Sequence, residues 1–124
     1  MTRIFNIAYI KKMNTTLQAL AEPNRLRIVE LLLDGPLTVG EIADRLSIRQ
    51  PQASKHLKTL SDAGLVEVKQ EANKRIYSLR SEPLQQLDSW LDTFRTMWAD
   101  RFKRMDDYLQ LLQSKPSTND EKNH

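Results

Sequence analysis

TVGEIADRLSIRQPQASKHLKTLSDAGL, residues 38–65, has the pattern of two short helices joined by a tight turn. Thr38 followed three residues later by Glu41 forms a capping box, in which hydroxyl and carboxylate satisfy free amides at a helix start. A helix should therefore open near Val39. Along it Val39, Ile42, Ala43 and Leu46 recur at helical spacing and turn inward, while Glu41, Asp44 and Arg45 face water. Ser47, Ile48 and Arg49 have the length of a turn that holds two helices at a steep angle. A second helix begins around Gln50, because Pro51 costs nothing in a first turn, where its missing N–H has no partner to lose. Ala53, Leu57 and Leu60 make its packed stripe. Gln50, Gln52, Ser54, Lys55, His56, Lys58 and Thr59 remain outward, with no acid before Asp62. Gln can read adenine through paired hydrogen bonds, Ser and Thr can meet bases or phosphates, and Lys neutralises phosphate. That is the inventory of a recognition helix in a major groove. Two amphipathic helices with a short turn also occur in folds that never touch DNA.

The next segment favours DNA. In LVEVKQEANKRIYSLR, residues 65–80, two β-rich runs flank the polar tip Glu71, Ala72, Asn73, Lys74, with Val66 and Val68 alternating on one run and Tyr77 and Leu79 on the other. A hairpin directly after two such helices is a wing. Between Arg49 and Arg80 stand seven Lys or Arg against three Asp or Glu, a local excess larger than the net charge of +3 of the whole chain. The basic residues, Lys74 among them, concentrate where double-stranded DNA would lie.

LAEPNRLRIVELL, LTVGEIADRL, RQPQASKHLKTLSDAGLV and NKRIYSL together resemble the corresponding stretches of the ArsR-type (ArsR/SmtB) winged-helix transcriptional repressors, in register over roughly residues 14 to 80. The resemblance implies a homodimeric repressor that occupies a palindromic operator and is released by a signal. It places Gln50, Gln52, Ser54, Lys55 and His56 on the DNA-reading face and Arg75 at the wing arginine. Arg49 stands where the family often has Ser, which leaves the cap of the second helix open.

A chain of 124 residues makes one domain with a modest core and has no room for a separate ligand-binding domain. It has no cysteine, hence no disulfide, thiolate metal site or thiol switch. Its two histidines are His56 and His124, and transition-metal sites want several His or Cys ligands, so neither metal nor other cofactor is expected. No apolar run approaches the roughly 20 residues of a membrane span. The opening MTRIFNIAYIKK is too short in its apolar part, and too soon followed by Lys, for a signal peptide. A cytoplasmic protein is expected. Residues 1–13 read either as an extension before a true start at Met13 or as an arm adding to a dimer surface. Residues 113–124 read as a disordered polar tail.

The main domain is then 14–112, a mainly α winged helix-turn-helix with a small β-hairpin, dimerising through its terminal helices. Leu17 and Leu20 lie on a first helix. Pro23 starts a second, with Leu26, Ile28, Val29, Leu32 and Leu33 as a buried face, and Asp34, Gly35 and Pro36 end it. Arg25 and Arg27 read as solvated surface, with phosphate contact as the alternative. From about 83 to 112 a long helix carries Leu84, Leu87, Leu91, Phe94, Trp98, Phe102, Met105, Leu109 and Leu112 on one stripe, widened by Trp90, Met97 and Tyr108. Such a helix is longer than a small core can cover. Leu17, Leu20, Trp90, Phe94, Met97, Trp98, Phe102, Met105 and Leu109 are therefore expected at a homodimer interface. The other reading of Trp90, Phe94 and Trp98 is a rim for a small apolar effector between subunits. No catalytic constellation is visible, so no enzyme is expected. The alternative from another class is a winged-helix protein-interaction module that recruits a partner through the aromatic helix.

Overall fold

The computed structural model describes residues 7–114. Five helices and three short strands follow in the order α1 (Ile7–Leu20), α2 (Pro23–Leu32), β1 (Leu37–Thr38), α3 (Val39–Leu46), α4 (Gln50–Asp62), β2 (Val66–Glu71), β3 (Lys74–Leu79) and α5 (Glu82–Ser114). The chain divides into two compact units between Leu87 and Asp88, a boundary that falls inside α5. The expected boundary at residue 13 falls inside α1, where Met13 is buried. Of the expected tail, Gln113 and Ser114 belong to α5, and residues 115–124 lie outside the described ones.

In the first unit the capping box forms as its spacing requires. The Glu41 N–H donates to Thr38 Oγ1 at 3.2 Å, and the Thr38 N–H donates to Glu41 Oε1 at 2.9 Å. The Thr38 backbone N–H first, and then the Thr38 side chain, hold the Glu41 carboxyl below the usual carboxylate range, helped by the charges of Arg45 and Lys74. α3 ends in a Schellman motif. Ser47 sits at φ 56°, its N–H reaches Asp44 O at 3.2 Å, and the Ile48 N–H reaches Ala43 O at 3.1 Å. α4 ends the same way, with Gly64 at φ 76° and the Leu65 N–H on Leu60 O at 2.9 Å.

The buried core joins all these elements. Ile28 of α2, Ile42 of α3, Leu57 and Leu60 of α4, and Leu65 and Val66 at the hairpin base are the largest fully buried apolar side chains. Leu26 and Leu33 are a correction: they are 46% and 68% exposed. The inward arc of α2 is Ile28, Val29 and Leu32; Leu26 points to the far side of the helix, and Leu33 is already its C-cap. α1 buries Met13, Thr16 and Ala19, leaves Leu17 exposed, and sets Leu20 partly against the core. The hydroxyl of Tyr9 donates to the Gln86 carbonyl at 2.7 Å.

The wing is the antiparallel pair β2–β3, with Val66 opposite Leu79, Val68 opposite Tyr77 and Glu71 opposite Lys74. The loop between them is two residues, Ala72 and Asn73, shorter than the four-residue tip read from the sequence. β1 was not read from the sequence. It pairs with β3 through Leu37–Tyr77 and Thr38–Ile76, giving strand order β1-β3-β2.

Gly64→Ala should cost about 1 kcal/mol in urea unfolding, since a Cβ there meets nothing nearer than Pro83 Cγ at 3.8 Å and only the left-handed backbone is penalised. Because the Glu41 value is lowered on folding, its contribution is complete above the unfolded range near about pH 4.3 and is lost as pH falls through the lower folded value. Glu41→Gln should therefore flatten the acid limb of a stability–pH curve measured by thermal melts.

Candidate nucleic-acid interface

The rotational setting of α4 follows from Ala53, Leu57 and Leu60, each wholly buried. That setting leaves Gln50, Gln52, Ser54, Lys55, Lys58 and Thr59 exposed, as their positions predicted. His56 departs from the expected outward face. It lies on the flank between the buried stripe and the surface, and its Nδ1 stands 3.6 Å from Glu22 Oε2. Among the described residues this is the one ion pair that ties α4 to another element. Glu22 is also the N-cap of α2 and accepts from the Arg25 N–H at 2.9 Å. The sequence signal for Glu22 is an acceptor directly before Pro23 at the first helical position.

Arg49 is the N-cap of α4, but a guanidinium has no acceptor to offer the open amides. Only the reciprocal half of a cap forms: the Arg49 N–H donates to Gln52 Oε1 at 3.3 Å. The Gln52 side chain is thus folded back on its own helix end. Reading a base requires it to swing outward, giving up one long hydrogen bond. Arg25, read as solvated surface, is turned back on the protein. Its Nε donates to Ala19 O at 2.7 Å and its Nη2 to Gln18 O at 3.4 Å, so it caps the end of α1.

The two wing cations part company. Alternation along β3 puts Lys74 and Arg75 on opposite faces. Lys74 pairs across the ladder with Glu71 and lowers the Glu41 carboxyl, on the side of α3. Arg75 instead lines a groove of about 400 Å³ with Val68 and Tyr77 of the wing and Ser54, Leu57, Lys58, Ser61 and Asp62 of α4. Both wing acids, Glu67 and Glu71, share the face of Lys74, so the groove side of the wing has no carboxylate. Asp62 is the one acid lining the groove and holds Lys58 at 3.3 Å. With both groups more than two-thirds exposed, that pair is weak and leaves Lys58 available to phosphate.

Among the described residues no three His, Cys, Asp or Glu side chains gather to hold a metal ion.

A family profile described as "Helix-turn-helix domain" matches residues 20–69, the span from the end of α1 into β2. The chain is 40% identical over 97 residues to the HTH-type transcriptional regulator Rv2034 of Mycobacterium tuberculosis, covering 78% of this chain and 85% of that one. It is 35% identical to an arsenical resistance operon repressor of Staphylococcus xylosus, over 69% of this chain and 83% of the relative. Among solved structures it resembles an ArsR family transcriptional regulator with TM-score 0.66 and 30% identity, over 73% of this chain and 94% of that one. It also resembles a homodimeric winged helix-turn-helix DNA-binding domain of Mycobacterium bovis with TM-score 0.62 and 25% identity, over 81% and 93% of the two chains. The fold is that of a winged helix-turn-helix DNA-binding regulator. This chain belongs to the ArsR family of transcriptional regulators.

Glu22→Ala should cost about 1 kcal/mol through the lost α2 cap, and Glu22→Gln, which keeps an acceptor, clearly less. A double-mutant cycle with His56→Gln should give a coupling under about 1 kcal/mol, because both side chains keep part of their solvent.

Proposed function

We propose that this regulator is a cytoplasmic, metal-independent homodimeric repressor that occupies an inverted-repeat operator. The observation that carries the reading is the acid-free outward face of α4, from Gln50 to Thr59, set beside a groove that Arg75 enters from the wing. Gln50, Gln52 and Ser54 address base edges, Lys55, Lys58 and Thr59 address phosphates, and Lys74 and Arg75 extend the phosphate contacts from the wing. His56 serves the docking of α4 through Glu22 rather than a base.

The repressor of Staphylococcus xylosus supports repression, and the homodimeric Mycobacterium bovis domain supports a two-fold assembly. So do Trp98, Phe102 and Met105, which stay exposed on α5. A two-fold dimer presents its recognition helices to major grooves about 34 Å apart, which selects an inverted repeat. The reading as a protein-recruiting module draws only on the aromatic helix and leaves the basic face of α4 without a task. Trp90, Phe94 and Trp98 contact one another along α5, with ring centroids 5.0 and 6.4 Å apart. That favours packing over the rim of an effector pocket. Among the described residues, no helix is long and apolar enough to cross a membrane.

Fluorescence anisotropy against duplex DNA from upstream of the gene and a scrambled duplex, at two salt concentrations, tests the proposal. A preference of at least about a hundredfold, falling steeply with salt, is the expected outcome. Lys55→Ala should weaken both duplexes alike and reduce the salt slope by about 1, whereas Gln52→Ala should erode discrimination by about 1 kcal/mol or more. Equal behaviour of the two variants on both duplexes would show that the reading face is wrongly assigned.

A further inference from the structure

Arg49 occupies the N-cap of α4 with a side chain that does no capping. Ser, Thr, Asp and Asn serve at such a position, because a side-chain oxygen accepts from the open amides of the first turn. A guanidinium carries donors and no acceptor. Arg49 is exposed, so no packing requirement explains the choice. Among the described residues its guanidinium makes no hydrogen bond or ion pair, whereas Arg25, Arg80 and Arg95 each have partners within the protein. Arg49 is engaged through its backbone alone, its N–H on Gln52 Oε1 and its carbonyl on the N–H groups of Gln52 and Ala53. A residue that breaks a local stabilising rule at an exposed position, with nothing gained inside the chain, marks a place where something outside is met.

That place is the entry of α4, the recognition helix of the reading above. In a helix-turn-helix the first residues of that helix come to the base edges of the major groove. Arg49, Gln50 and Gln52 are the exposed long side chains there. A paired contact with adenine needs both the amide oxygen and the amide nitrogen of Gln, and the Gln52 oxygen is already taken by the Arg49 N–H at 3.3 Å. Gln52 must break a bond before it reads. Arg49 breaks none. Its planar fork matches N7 and O6 of guanine, the base that shows two neighbouring acceptors in the major groove. Phosphates are served further along the helix by Lys55, Lys58 and Thr59 in the same reading, and a point charge serves them well enough.

We propose that Arg49 is a base-reading residue of this regulator, donating through both arms of its guanidinium to N7 and O6 of a guanine. Each half-site of the operator then carries a guanine that Arg49 specifies. The inference rests on the DNA reading proposed above and adds to it one residue and the base it selects.

Selection of binding sites from randomised duplexes by the wild-type chain, Arg49→Ser and Arg49→Lys tests it. Ser supplies the cap acceptor that Arg lacks, so Arg49→Ser should melt no lower than wild type, and a change in its selection is a lost contact rather than a lost fold. Lys keeps the charge without the fork. The wild-type chain should select a motif with a fixed guanine in each half-site, and both variants should lose that guanine while keeping the rest of the motif. Replacing the guanine of one half-site by 7-deazaguanine, which lacks the N7 acceptor, should weaken wild type about tenfold and Arg49→Ser less than about twofold. Two results overturn the assignment of Arg49 and leave the DNA reading standing. One is the same motif from all three proteins. The other is a uniform weakening of Arg49→Ser on every duplex, with a salt slope reduced by about 1, which is the behaviour of a phosphate contact. A wild-type chain that selects no motif overturns the DNA reading and the role of Arg49 together.

Discussion

Complete burial of Ala53, Leu57 and Leu60 is the constraint on which the rest depends, because it sets the rotation of α4 about its own axis. Three points on one helical stripe fix which residues face the core, and thereby which face outward. A turn of 100° would bring Gln52 or Ser54 into the core, where an amide or hydroxyl without a partner costs on the order of 1–3 kcal/mol. The stripe is held from beneath by Ile42, itself wholly buried, and its approach angle is held by the left-handed Ser47. The reading proposed for the polar face therefore starts from the apolar packing beneath it.

Much of this was legible in the chain. The capping box, the first-turn Pro51 and the alternation of Val66 and Val68 against Tyr77 and Leu79 are local patterns, and each formed as its spacing required. What stayed hidden was set by partners distant in sequence. β1 is a two-residue strand defined only by its pairing with β3, and two residues carry no period. Leu26 and Leu33 looked buried because they are leucines; their angles around α2 put them outside. His56 stood in the sequence among outward polar residues, and only Glu22 at the start of α2, 3.6 Å from its Nδ1, shows it on the flank of α4. The outward residues of α4 were visible as a list of types, whereas the pose of Gln52, folded back onto the Arg49 N–H, depended on where α4 begins.

The wing shows how a small sheet separates charge without any extra element. Period-two alternation sends Glu67, Glu71 and Lys74 to one face and Arg75 to the other. Lys74 shares its face with Glu71 and Glu67 and lies close enough to Glu41 to lower its carboxyl, while Arg75 shares its groove with the single carboxylate of Asp62. Two adjacent basic residues of the same strand thus present different fields to an approaching polyanion.

Arg25 extends the same point to the whole molecule. Its guanidinium is spent on the carbonyls of Gln18 and Ala19, and Arg80 and Arg95 are likewise engaged by Glu82 and by Asp88 and Asp92. A sequence pI of about 9.3 therefore overstates how strongly the folded protein should cling to DNA in general. Non-specific adhesion scales with the phosphates that accessible cations can neutralise, and the Arg25 guanidinium, bonded to two carbonyls, is turned against the protein itself. For a protein that has to find one site among many, each charge withdrawn in this way shortens the stay on DNA of the wrong sequence.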